Sequence, residues 1–190
     1  MSDAVRSEAT ELAPGATRGL TITVSKGTGI AATALGAFDA ALVEAGIANF
    51  NLITLSSVIP PGAQIEVPRK VAPRAGGWGD RLYVVLAETR VEKHNEEAWA
   101  GIGWTQDAAT GRGLFVEHHG YSKHQVEADI DASLHALVQR RPGIDFGPHQ
   151  SVVQGIVCED QPVCSLVAAS FMSVGWQEPT TMIDLRSTQP

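Results

Sequence analysis

Cysteine is scarce, with 2 residues in a chain of 190. Two thiols cannot build the disulfide framework that staples small secreted domains. Cys158 and Cys164 both stand among apolar neighbours and read as buried thiols in a reducing compartment. Positive charge is also short. Fourteen Lys and Arg face 21 Asp and Glu, a net charge of -7, and no basic cluster breaks the pattern. That excludes a nucleic-acid surface. No run approaches the ~18 apolar residues of a membrane span. The opening residues, "MSDAVRSEATELAPGATRG", lack the basic start and apolar stretch of a secretory signal. A cytoplasmic protein without a membrane partner is the expectation. No internal repeat is evident. Two catalytic signatures are missing as well: no G-x-S-x-G surrounds a serine, and there is no H-E-x-x-H.

What remains is an ordinary globular composition, 44% hydrophobic and 18% charged, long enough for one core without staples. The expected organisation is a loose arm over residues 1–19, one domain over 20–180 and a loose tail over 181–190. "LTITVS" has the β-branched enrichment of a strand, and "KGTG" reads as the turn after it. A helix follows from about Ile30 to Ala45, with Leu35, Phe38, Leu42 and Ala45 on one face. Gly46 stands where a helix C-terminal glycine belongs. The next strand is Asn51 to Leu55.

A loop-rich segment, "IEVPRKVAPRAGGWGD", leads to three strand-like runs, "RLYVVLAETR", "AWAGIGW" and "GRGLFVEHHG". A second helix spans about Lys123 to Arg140. Val126, Ile130, Leu134, Leu137 and Val138 share its apolar face, and Ser122 with Gln125 makes a capping-box pattern. Two further strands are "SVVQGIVC" and "VCSLVAASFMSVGW". Two helices are few for this many strands, and each sheet face needs cover. The predicted fold is an α+β sandwich of four layers, α/β/β/α, with two sheets face to face and a helix outside each.

Three sets of residues could carry chemistry. "GTGIAA", Gly27 to Ala32, matches the dinucleotide fingerprint, in which a helix N-terminus cradles phosphate. The strand after it should then end in an acidic residue, yet it ends in Ser56-Ser57. The plainer reading is a glycine turn into a closely packed helix. The second set is His118, His119 and His124, with His135 and His149 more distant. Neighbours on a strand point to opposite faces, so His118 and His119 cannot easily share a metal. Surface or turn histidines, with no metal, are the better reading.

The third set is the serine pair in "NFNLITLSSVIPPG". Serines are common at strand ends, and that reading stays open. A serine hydroxyl can also attack the carbonyl carbon of the peptide bond just before it. Planar amides resist this. Strain at the bond and a donor for the oxyanion would both help. The strand on one side and Pro60-Pro61 on the other are anchors that could hold such strain. The resulting ester can eliminate to dehydroalanine, which hydrolyses to a pyruvoyl group.

"AFDAALVEAGIANFNLITLSSVIPPG" resembles the pyruvoyl-dependent arginine decarboxylases, with "AFD", "AGI", "NLI" and "SSVIPP" in that order and spacing. "GLFVEHHG" and "CSLVAASFMSVGW" are similar to two further family segments. The resemblance implies a four-layer sandwich and cleavage between Ser56 and Ser57, with Ser57 becoming a covalent pyruvoyl group. It implies that Asn51 stabilises the oxyanion of self-cleavage. Glu117 would protonate the substrate carbon, and Asp39 would belong to the substrate pocket. It implies a lyase converting L-arginine to agmatine and carbon dioxide, without pyridoxal phosphate or metal. It further implies homotrimers, possibly paired, with sites between neighbouring subunits.

Decarboxylation leaves an electron pair that needs a sink. A pyruvoyl ketone condensed with the substrate amine supplies one. A general acid must then return a proton. A carboxyl carried by a strand with Leu114, Phe115 and Val116 is expected to be partly buried. The "EHH" run is more basic than the family pattern, which leaves the pocket's polarity open. Asp39 could grip a guanidinium in a bidentate contact or simply solvate a helix. Three other readings stand: the same chemistry on another amino acid, an uncleaved homologue serving as a binding or assembly protein, and a nucleotide site at Gly27 and Gly29.

Overall fold

Every large apolar run of the sequence ends up against one of three apolar seams between four layers. The computed structural model describes residues 19–176. In chain order the elements are β1 (Thr21–Ile30), α1 (Ala34–Glu44), β2 (Asn51–Thr54), β3 (Val58–Ile59), β4 (Gln64–Glu66) and β5 (Arg81–Val91). They continue with β6 (Glu97–Gln106), β7 (Gly113–Gly120), α2 (Lys123–Gln139), β8 (Gln150–Val157) and β9 (Val163–Val174). One sheet has the order β2-β5-β9-β1-β4, the other β3-β7-β6-β8. Its outer pairs, β1 with β4 and β2 with β5, are parallel, while the ladders of β9 with β1 and with β5 are antiparallel.

The central seam joins the inner faces of the two sheets. Ile22, Val24, Val85, Ile102, Phe115, Val167 and Phe171 meet there. The second seam packs α1 on the outer face of the five-stranded sheet through Ala37, Ala41, Leu82, Val84, Leu166 and Ala168. The third packs α2 on the four-stranded sheet through Val116, Val126, Ile130 and Leu134. This is the expected α/β/β/α sandwich. The expected arm and tail, apart from Gly19, fall on residues outside those described or at their edge.

Several local expectations are corrected. Gly27 and Gly29 are not a turn. They lie inside β1, opposite Leu166 and Cys164 of β9. A Cβ at either would overlap the backbone of α1, at the carbonyls of Ala41 and Ala37. These glycines let the helix settle close on the strand. The strand-to-helix turn that a phosphate cradle needs begins only after Ile30, so the dinucleotide fingerprint is coincidental. Of the expected face of α1, Ala45 is buried and Phe38 and Leu42 are half-buried against the same seam, but Leu35 is 68% exposed, and the fully buried stripe within the helix is Ala37 and Ala41. Small residues face a glycine-bearing strand because only they allow that approach.

At α2 the Ser122 side chain makes no capping bond, and Gln125 turns to Asp129 instead. β3 and β4 were not anticipated. Both cysteines are free and buried.

Candidate active site

β2 and β3 belong to different sheets, so the chain crosses from one sheet to the other at Leu55, Ser56 and Ser57. Each side of the crossing is tied down. The Leu55 N–H donates to the Val84 carbonyl at 2.9 Å, extending β2 along β5. The Phe115 N–H donates to the Ser57 carbonyl at 2.8 Å, which begins the pairing of β3 with β7. Beyond β3, the Ala63 N–H closes a turn on the Pro60 carbonyl at 3.2 Å. The peptide bond between Ser56 and Ser57 is therefore strung between two rigid sheets.

Ser57 meets this constraint with φ of 66°, in the left-handed region. Two other non-glycine residues share that region, Asn49 and Asn95. Asparagine tolerates it through local hydrogen bonding, whereas serine has no comparable ease there. Strain of about 1–3 kcal/mol is typical of such a position when the surroundings enforce it.

The same twist aims the side chain. Ser57 Oγ donates to Glu117 Oε2 at 2.7 Å, across 60 positions of sequence. Glu117 lies on β7, paired with Ile102 of β6. It shares the inward face of Phe115 at the point where the inter-sheet core runs out, which leaves it exposed. The burial expected from its apolar neighbours is not supplied by the single chain: Leu114, Phe115 and Val116 are buried, but Glu117 is past the edge.

The pair opens into a cleft of 580 Å³ between β7 and α2. Ser56, Ser57, Glu117, His118, Ser133 and Arg140 give it polar groups, and Phe115, Val116, Ala136 and Leu137 give it an apolar wall. His118 is half-buried, and its Nε2 shares a hydrogen bond of 2.8 Å with Ser133 Oγ of α2. His119, on the opposite face of β7, is exposed, as are His124, His135 and His149. Ser133, Ala136 and Arg140 were not foreseen as site residues. Their sequence signal is only a helix register, and nothing in it points to a serine on another sheet.

Two anticipated residues lie elsewhere in this protomer. Asn51 begins β2, and its Nδ2 donates to the Gly79 carbonyl at 2.5 Å. That bond turns it toward the loop before β5, away from the cleft. Asp39 is exposed on α1, in the outermost layer, with a whole sheet between it and the four-stranded sheet that carries Glu117. The geometry thus brings together Ser56, Ser57 and Glu117, and leaves Asn51 and Asp39 apart from them.

A strained serine held by a carboxylate at a cleft supplies the nucleophile and the strain of an N-to-O acyl shift, while Asn51, the expected oxyanion donor, lies apart. The family model described as "Pyruvoyl-dependent arginine decarboxylase (PvlArgDC)" matches residues 21–174, from the start of β1 to the end of β9. The chain belongs to this family. It is similar to the pyruvoyl-dependent arginine decarboxylase of Halobacterium salinarum, 41% identical over 97 residues, which cover 50% of this chain and 58% of the relative. It is similar to that of Methanococcoides burtonii, 34% identical over 110 residues, covering 57% of this chain and 61% of the relative. With the Thermococcus sibiricus protein of the same name the identity is 28% over 145 residues, covering 74% of this chain and 87% of the relative. In the first two, the shared stretch spans less than two thirds of the relative's length. Among the described residues no helix is long and apolar enough to cross a membrane.

Proposed function

We propose that this pyruvoyl-dependent arginine decarboxylase family member cleaves itself between Ser56 and Ser57 and decarboxylates L-arginine to agmatine and carbon dioxide. The observation that carries the reading is the strained Ser57, its hydroxyl held by Glu117 at the mouth of a cleft. Self-processing uses only this chain. Ser57 Oγ, oriented by its hydrogen bond to Glu117, attacks the carbonyl carbon of Ser56, and its proton passes to the departing Ser57 nitrogen. The C–N bond breaks and an ester joins Ser56 to the Ser57 side chain. Relief of the left-handed torsion favours that step. Elimination frees the Ser56 carboxylate as the end of residues 1–56. Water then displaces ammonia, leaving a pyruvoyl group at position 57.

The residues present fit such a group. It would stand where Ser57 stands, facing the cleft and beside the Glu117 carboxyl. When formed, a pyruvoyl group supplies the electron sink that decarboxylation needs. Glu117 keeps its place through the change. It accepts the serine hydrogen bond in the precursor, and in the mature chain it delivers a proton to the substrate carbon. Phe115, Val116, Ala136 and Leu137 give the cleft an apolar side next to Glu117. The two buried thiols suit a reducing, cytoplasmic setting.

Asn51 as the oxyanion donor and Asp39 in the substrate pocket stand as proposals that need a neighbouring protomer. Homotrimers, possibly paired, with composite sites are the proposed assembly. One observation favours a second reading, the same chemistry on another amino acid. Among the described residues of a single protomer the cleft offers one carboxylate, Glu117, beside Arg140, and no second acid for a guanidinium.

A denaturing gel with intact-mass measurement tests the proposal. The mature protein should resolve into residues 1–56 and 57–190, the second piece lighter by one ammonia than a serine-started chain. A persistent single chain would favour an uncleaved binding or assembly protein. Carbon dioxide released from a panel of carboxyl-labelled amino acids then names the substrate. Release from arginine alone supports the first reading, and release from a different amino acid the second.

A further inference from the structure

Helix α1 covers only part of the outer face of the five-stranded sheet. Past its C-terminus, residues 68–74 roof the same face, and a cavity of 250 Å³ lies beneath them. Thr23 and Ser25 of β1 and Ser170 of β9 form its floor. Thr23 and Ser170 are paired across the ladder, and Ser25 follows on the same face. Ser25 and Ser170 are 4% and 1% exposed, and neither hydroxyl has a hydrogen-bond partner among the described residues. Buried hydroxyls are nearly always satisfied, because leaving one bare costs stability. Two of them, side by side and lining one cavity, point to a missing partner.

The roof supplies charge of one sign. Lys70 and Arg74 both line the cavity. Arg74 is half-buried, its N–H donates to the Gly46 carbonyl at 2.8 Å, and its Nη2 donates to the Phe171 carbonyl at 2.9 Å. Burial holds its pKa below the ordinary arginine value. Among the described residues no carboxylate forms an ion pair with it. A desolvated cation without an anion is expensive. Lys26 and Arg69 line the adjoining space with Glu44, whose carboxylate is taken by the Thr28 N–H at 2.5 Å and the Thr28 hydroxyl at 2.8 Å. The negative end of α1 is capped as well, since Ala41, Leu42 and Val43 carbonyls all accept backbone N–H groups. Glu66, paired with Thr23 on the same face, is one other carboxylate beside these four cations, so against a molecular charge of -7 the balance at this site is positive.

We propose that this cavity binds a small phosphate-bearing ligand, a phosphate monoester or phosphate itself, through the Ser25, Ser170 and Thr23 hydroxyls and the Arg74 and Lys70 cations. Three hydroxyl donors and two cations match the three terminal oxygens and double charge of a phosphate group better than the two oxygens of a carboxylate. The volume far exceeds the ~30 Å³ share of one water, and water would leave Arg74 unneutralised. Ala45, Ile47 and Val71 leave an apolar side for a small organic remainder. The site lies on the opposite face of the five-stranded sheet from the Ser57 cleft and does not depend on how that cleft works.

Thermal unfolding of the full chain with inorganic phosphate, against chloride at equal ionic strength and acetate as a third arm, tests the site. At a hundredfold excess over its dissociation constant, phosphate should raise Tm by about 5 °C or more, with acetate well behind and chloride without effect. Ser25→Ala with Ser170→Ala should weaken phosphate at least about tenfold while leaving Tm without phosphate unchanged or higher, because the deleted hydroxyls had no partner. Arg74→Gln should abolish the response. The proposal is overturned if chloride matches phosphate, if acetate equals it, or if the response survives in the double alanine variant. It is equally overturned if that variant is destabilised without phosphate, since the hydroxyls would then be structural.

Discussion

Ser57 concentrates its strain in one torsion, and that torsion can be relieved without touching any other contact. At φ of 66° a glycine is at ease, whereas alanine carries the same penalty as serine. Ser57→Gly should therefore be more stable than Ser57→Ala by about 1 kcal/mol in urea unfolding, although both remain a single chain for want of the hydroxyl. Equal stabilities would mean that the backbone there is not strained at all. Glu117 separates differently. Glu117→Gln keeps an acceptor for the Ser57 hydroxyl and loses the acidic proton. It should still cleave on a denaturing gel, while turnover falls by about a hundredfold or more, the usual share of a general acid. If Glu117→Gln stays whole like Ser57→Ala, its carboxylate serves processing rather than turnover. The Ser57–Glu117 contact spans 60 positions. Neither composition nor periodicity brings two such residues together, and only the resemblance of the flanking motifs foretold their association.

Elements were legible in proportion to their length and pattern. β5, β6, β7 and β9 are long apolar runs whose registers follow from burial, and α2 carries an apolar stripe, Val126, Ile130 and Leu134, at helical spacing. β3 and β4 span two and three residues, too short for any alternation to show. They exist because β7 and β1 offer unpaired edges. The face of α1 was read only in part, Phe38, Leu42 and Ala45 correctly and Leu35 not, for a packing reason: large residues mark the centre of a core face only when the opposing surface leaves room, and β1 opposes α1 with glycines. Gly29→Ala should thus cost about 1–3 kcal/mol of stability, an overpacking penalty readable from the urea midpoint. No loss would mean that α1 can lift from β1 freely. The β6–β7 hairpin has its own chemical lock. Asp107 is held below the usual carboxylate range by the Ala109 N–H first, then by the Thr110 hydroxyl, with the Arg112 guanidinium adding to both. A depressed carboxyl stabilises the fold above its unfolded value of about 3.9 and loses that contribution as pH falls through the folded value. Urea midpoints measured from pH 5 downward should decline below about pH 4, and Asp107→Asn should flatten part of that decline. An unchanged slope would place the acid sensitivity elsewhere.

At the scale of the whole molecule, the single chain keeps the residues proposed for the site apart. Its cleft holds the strained serine, a carboxylate and Arg140, while Asp39 looks out from the opposite outer layer. A closed ring of identical chains can bring these together, because a head-to-tail contact sets one face of a protomer against a different face of the next. If arginine is the substrate, the acid that meets its guanidinium must then come from the neighbour. Ser57→Ala and Asp39→Asn should each be inactive alone, the first uncut and the second cut. Refolded together in equal amounts they should recover about one site in four, the chance that a Ser57 chain meets an Asp39 neighbour in the productive order. Carbon dioxide release from labelled arginine reads the recovery directly. Should the mixture stay as inactive as its parts, while wild-type chains refolded alike regain full activity, Asp39 acts within its own chain or not at all, and the composite site must be abandoned.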